Sequence, residues 1–108
     1  MTAPPGGPDR AYATATVVAY REAARRIRRL SGATRATTYA YDRHSANLEA
    51  WELQLKHRHP ELLGYLVEER GLIDRIAAND AARPELVLRL ATTRRNIKEY
   101  LRTCPASP

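Results

Sequence analysis

Five arginines fall within nine residues, Arg21, Arg25, Arg26, Arg28 and Arg29, with only Glu22 to oppose them. A guanidinium is permanently charged and its planar fork holds two phosphate oxygens at once, so arginines recurring every three or four helical residues form a ridge suited to a polyanion. Arg21, Arg25, Arg28 and Arg29 are therefore candidate nucleic-acid contacts, although a solvated helix face is the commoner use of such a ridge. A second basic group stands at Arg94, Arg95 and Lys98. The histidines offer less. His57 and His59 flank Arg58, and two residues apart on a helix point about 200° from each other, so they suit the dipole of a helix end on the surface better than a shared metal ion. His44 sits among apolar residues and reads as a core or contact histidine, one that could make a contact sensitive to pH. Cys104 is the only cysteine. It excludes an intramolecular disulfide and a cysteine metal cluster within one chain, and no metal or cofactor is expected. Neither a Gly-rich phosphate loop, a nucleophile elbow nor a paired His-Glu helix motif is present, so an enzyme is not expected.

The elements that must position these residues read as helices. Pro4, Pro5, Gly6, Gly7 and Pro8 mark residues 1–8 as a flexible leader, and Asp9 reads as the N-cap of a first helix over 9–30. Val17, Tyr20, Ala24 and Ile27 recur on its one face. A second helix is predicted over 34–59, where Thr37, Tyr41, His44, Leu48, Trp51 and Leu55 follow alternating spacings of four and three. Pro60 ends it and opens a third helix over 60–79 with Leu62, Leu66, Ile73 and Ile76 on its buried face, within which Gly71 is a candidate break. Pro84 and Glu85 open a last helix to residue 102, and residues 104–108 read as a loose tail. The expected fold class is all-α: a single domain over 9–103, a small antiparallel bundle of four main helices packed around Val17, Ile27, Leu48, Trp51, Leu55, Leu62, Leu66, Ile73, Ile76, Leu90 and Ile97.

The chain of 108 residues has 18 basic and 12 acidic side chains, a net charge of +6 and an isoelectric point near 10.0. Such a balance favours an acidic partner. The charge is uneven, with nets of +5 over residues 1–59, −3 over 60–85 and +4 over 86–108. No apolar run approaches the roughly 20 residues that span a bilayer, and the opening residues lack the pattern of a secretory signal, so a cytoplasmic protein without a membrane span is expected.

The stretch RPELVLRLATTRRNIKEYLR, residues 83–102, resembles the last two helices of a bacterial helix-turn-helix DNA-binding unit. In that resemblance Glu85, Leu86 and Leu90 match the first helix, Ala91 and Thr92 the turn, Thr93 the cap, and Ile97 and Leu101 the anchors of the second. It implies that Arg94, Arg95 and Lys98 enter the major groove or meet phosphates. Val87 and Ala91 depart from the pattern, which usually has a small residue and a glycine there. The same residues also read as one uninterrupted helix with Leu86, Leu90, Thr93, Ile97 and Leu101 as its stripe. The expectation for function is a small basic nucleic-acid-binding accessory protein or transcriptional regulator, with DNA or another polyanion as partner. The alternative is a helical interaction module that forms a homodimer or docks on a partner protein through Tyr41, His44, Leu48, Trp51 and Leu55, without nucleic acid.

Overall fold

The computed structural model describes residues 9–30, 35–78 and 81–105, the side chains of 35–38 excepted, so the predicted leader and the side chain of Thr37 lie outside what it describes. Four helices account for nearly all of them: α1 Asp9–Arg29, α2 Arg35–Arg58, α3 Pro60–Ala77 and α4 Arg83–Thr103. No strand occurs among the described residues. Each boundary has a local cause. α1 carries Asp9 in its first turn and Arg26, Arg28 and Arg29 in its last, the arrangement that complements the helix dipole at both ends. α3 and α4 both take a proline in the first turn, where the missing N–H costs no hydrogen bond. One residue, His59, separates α2 from α3; its φ of −142° and ψ of 64° leave the helical region, which turns the chain while its amide still donates to Leu55 O.

Two expectations about helix continuity resolve here. α3 runs unbroken through Gly71, so that residue marks no break. α4 is one helix, and Ala91, Thr92 and Thr93 lie inside it. Leu86, Thr93 and Ile97 are buried along one face with Leu90 and Leu101 half-buried beside them, the stripe of a single amphipathic helix.

Contacts between side chains fix how the helices lie. Arg21 meets Glu69 and Arg28 meets Asp74, so α1 passes α3 in step, while Arg10 at the start of α1 reaches the end of α4. The core gathers Ala13, Val17, Tyr20, Ala23 and Ala24 from α1, Leu48 and Leu55 from α2, Leu62 and Leu66 from α3, and Ile97 from α4. Alanines on α1 let its neighbours approach closely. Ile27 and Trp51 are only partly buried against this cluster, and Ile73, Ile76 and Leu90 are half-buried at the edge of a cleft.

The proposed interface stripe on α2 needs correction. Leu48 and Leu55 are 3% and 0% exposed, and Trp51 packs on the same cluster, so these three residues of the stripe are covered by the chain's own helices. Tyr41 is exposed and His44 half-buried.

Tyr20 joins the core to the polar surface. It is buried, and its hydroxyl donates to Glu52 Oε2 at 2.9 Å. Burial pushes the phenol from 10.0 up to about 12, with Glu52 adding to the rise and Arg70 opposing it. A folded pKa above the unfolded one means that the contribution is intact below pH 10 and is lost as pH rises from 10 towards 12. Chemical denaturation over that range should show stability declining by up to about 3 kcal/mol from this group, and Tyr20→Phe should flatten most of the decline. An identical alkaline slope in the variant would assign the loss to other groups.

Candidate functional site

α1, α3 and α4 enclose a cleft of about 690 Å³. Its apolar lining comes from Val18, Ala24, Ile73, Ile76, Ala77 and Leu90, and its polar lining from Arg21, Arg25, Arg28, Arg70, Arg83 and Arg94 with the carboxylates of Glu22 and Glu69. Spacing explains the arginines. Arg21, Arg25 and Arg28 follow intervals of four and three, which keeps them on one side of α1, and Arg83 and Arg94 are separated by three turns of α4.

Glu69 organises the site. It is 3% exposed and accepts from Arg21 at both oxygens, Nε to Oε1 at 2.9 Å and Nη2 to Oε2 at 2.9 Å, while Arg94 Nε donates to Oε2 at 3.2 Å. Paired guanidiniums replace the water that a buried carboxylate loses. The Arg21 and Arg94 side chains themselves keep 43% and 55% exposure, so each presents donors to solvent as well as to Glu69. Around the rim, Glu22 accepts from Arg26 and Arg25, whose hydrogen bonds hold its carboxyl below the usual range, and Arg28 Nε donates to Asp74 at 2.8 Å. Arg70 lies 3.5 Å from Glu52. Arg83 makes no ion pair among the described residues.

Of the candidate nucleic-acid contacts, Arg21, Arg25, Arg28 and Arg94 come together at this cleft. Arg29, Arg95 and Lys98 stand outside its lining, exposed and without an ion pair among the described residues. Sequence reasoning missed Arg70, Arg83 and Glu69. A signal for Glu69 existed: it occupies the position between Leu66 and Ile73 in the buried stripe of α3, at spacings of three and four.

The other end of the bundle corrects two further expectations. His59 is buried at 4% exposure, because it is the turn between helices and its ring faces inward instead of extending the last turn of α2; His57 remains exposed. Its Nδ1 lies 2.7 Å from the Tyr100 hydroxyl and its Nε2 3.1 Å from Asp9 Oδ1. Tyr12 stacks on the ring at 6.1 Å between centroids, and the Arg58 guanidinium sits 4.0 Å above Tyr12. Cys104 is buried too, so the expected loose tail does not begin there; its amide donates to Tyr100 O and its carbonyl accepts from Arg10 Nε at 2.8 Å. Burial pushes the Cys104 thiol up, with the Asp9 charge adding to the rise and Arg10 opposing it. A thiol held in that form is a poor nucleophile.

Comparison with family models, with curated proteins and with solved structures gave no match. No helix among the described residues is long and apolar enough to cross a membrane.

Proposed function

We propose that this protein binds nucleic acid, holding phosphates along the arginine lining of the α1 and α4 cleft, as a small basic accessory protein or regulator of the cytoplasm. The observation that carries the reading is the convergence of Arg21, Arg25, Arg28 and Arg94, from opposite ends of the sequence, on one concave surface with Arg83. Exposed Arg29, Arg95 and Lys98 extend the same positive field beyond it. With α4 unbroken, Arg94, Arg95 and Lys98 are assigned to phosphates and not to base edges, so affinity exceeds sequence preference.

Fluorescence anisotropy with a labelled duplex and a labelled single strand, across a salt series, tests this. Affinity should fall linearly on a log-log plot, and Arg25→Ala with Arg94→Ala should lower the slope by about 0.9 for each lost phosphate contact on duplex. Arg43→Ala, on an exposed part of α2, is the control. Binding at low salt no tighter than that of a neutral protein would falsify the proposal. Self-association is the second reading, and it now draws on different residues: Leu53 and Val67, exposed at 71% and 45%, flank a shallow groove between α2 and α3. Light scattering on the same sample separates the two, since a stable oligomer indifferent to nucleic acid favours the second.

A further inference from the structure

We infer that Asp9, His59 and Cys104 form a binding site for a thiophilic divalent cation, with zinc(II) the best chemical match. The site goes beyond the nucleic-acid reading and lies at the opposite end of the helices from the cleft. One ligand atom from each residue, a carboxylate oxygen, an imidazole nitrogen and a thiol sulfur, falls within 4.8 Å of the others. Tetrahedral zinc with bonds of roughly 2.0 to 2.3 Å sets its ligand atoms roughly 3.3 to 3.8 Å apart, so the trio closes on an ion by small side-chain rotations. His59 Nε2 and Asp9 Oδ1, at 3.1 Å, already stand at nearly that separation.

Three features make this more than a chance meeting of polar groups. His59 and Cys104 are both buried, which limits the bulk water that competes for an ion. The donors come from three remote segments: the start of α1, the link between α2 and α3, and the residue after α4. The second nitrogen of His59 is held by the Tyr100 hydroxyl at 2.7 Å, the outer partner that fixes ring orientation in metal-binding histidines.

The protons balance simply. With the ring neutral and no ion, the geometry lets Nε2–H donate to Asp9 and the Tyr100 hydroxyl donate to Nδ1. On binding, the ring proton moves to Nδ1 and donates to the Tyr100 oxygen, Nε2 turns its lone pair to the ion, and the Cys104 proton leaves to solvent. Thiolate and carboxylate then neutralise the two positive charges, and water takes the fourth position. The Arg58 guanidinium, 3.6 Å from Asp9 Oδ1, competes with the ion, as does the charge of Arg10 beside Cys104. Their repulsion is offset best for ions that gain most from thiolate, so zinc and cobalt(II) should bind and magnesium and calcium should not.

Cobalt(II) titrated into the full, reduced chain is the test. The expected result is one equivalent bound, with a thiolate-to-cobalt charge-transfer band, the intense visible bands of tetrahedral cobalt, displacement by zinc and release of one proton per ion. Cys104→Ser and His59→Gln should abolish the charge-transfer band, Tyr100→Phe should weaken binding about 10- to 100-fold, and His57→Gln should change nothing. Should a ligand variant fail to fold, X-ray absorption of the zinc-loaded wild type decides, since it must show one sulfur at about 2.3 Å. Absence of the charge-transfer band, or a zinc site without sulfur, overturns the inference and leaves the nucleic-acid reading untouched.

Discussion

Replacing Arg21 and Arg94 together by alanine should destabilise the protein by about 3 to 5 kcal/mol, read as a fall in the urea midpoint. The cost comes from what is left behind. Glu69 is buried and its hydrogen bonds come from these two guanidiniums, so the double variant leaves a buried carboxylate without either of them. The cleft beside it admits some water, which places the outcome towards the lower end. Removing the charge itself is a different experiment: Glu69→Leu should be neutral or stabilising by about 1 to 4 kcal/mol, because a leucine extends the stripe of Leu62, Leu66 and Ile73 without a desolvation cost. On that background the two arginine replacements should cost little, and the cycle should be strongly non-additive. Additive effects would show that Glu69 is solvated in the native state. The same variant bears on function. Freed from Glu69, Arg21 and Arg94 turn wholly to the cleft, and Glu69→Leu should therefore bind a duplex more tightly than the native chain at every salt concentration.

The second large effect separates two residues of one helix. Leu55→Ala should cost about 2 to 5 kcal/mol, whereas Leu53→Ala should stay within about 0.5 kcal/mol. Leu55 is fully enclosed in the core cluster, and Leu53, two positions earlier, is 71% exposed. Against a total stability of about 5 to 15 kcal/mol, the Leu55 loss is a large share and should lower Tm by about 8 degrees or more, at about 4 to 8 degrees per kcal/mol. Because the residue is covered by its own chain, that shift should not depend on protein concentration. A concentration-dependent Tm, or equal effects at the two positions, would return Leu55 to an interface between molecules.

These two results also mark what the sequence carries. Helix starts at Pro60 and Pro84 are written in single residues, and the stripes of Leu62 and Leu66 or Leu86 and Ile97 follow from period alone, so four helices and most of the core are legible. Period cannot say who covers a stripe. Tyr41, His44, Leu48, Trp51 and Leu55 have the same spacing whether a partner or α1 lies against them, and the structure puts Leu48 and Leu55 in the chain's own core. The partners of the buried polar residues are not legible for another reason, even where, as for Glu69, the stripe marks the position as interior. His59 is interior because Asp9 and Tyr100 await it, 50 and 41 residues away, and Glu69 because Arg21 does, 48 residues away. Single-residue patterns hold no record of such partners. The arginine ridge was legible as charge, but its pairing with Arg94 across a cleft depends on how α1 and α4 lie, which no local rule dictates.

The reach of Arg10 has a consequence for the order in which the fold is made and lost. Its guanidinium donates to the carbonyls of Cys104 and Arg102, 94 and 92 residues away. Helix turns and neighbouring helices close short loops first, and the entropy of closure grows with loop length, so this seam between α1 and α4 forms late. Late contacts are absent from the transition state, and their strength acts on the unfolding rate alone. Strengthening or weakening the seam where the first turn of α1 meets the last of α4 should therefore change the lifetime of the folded molecule more than the speed of its folding.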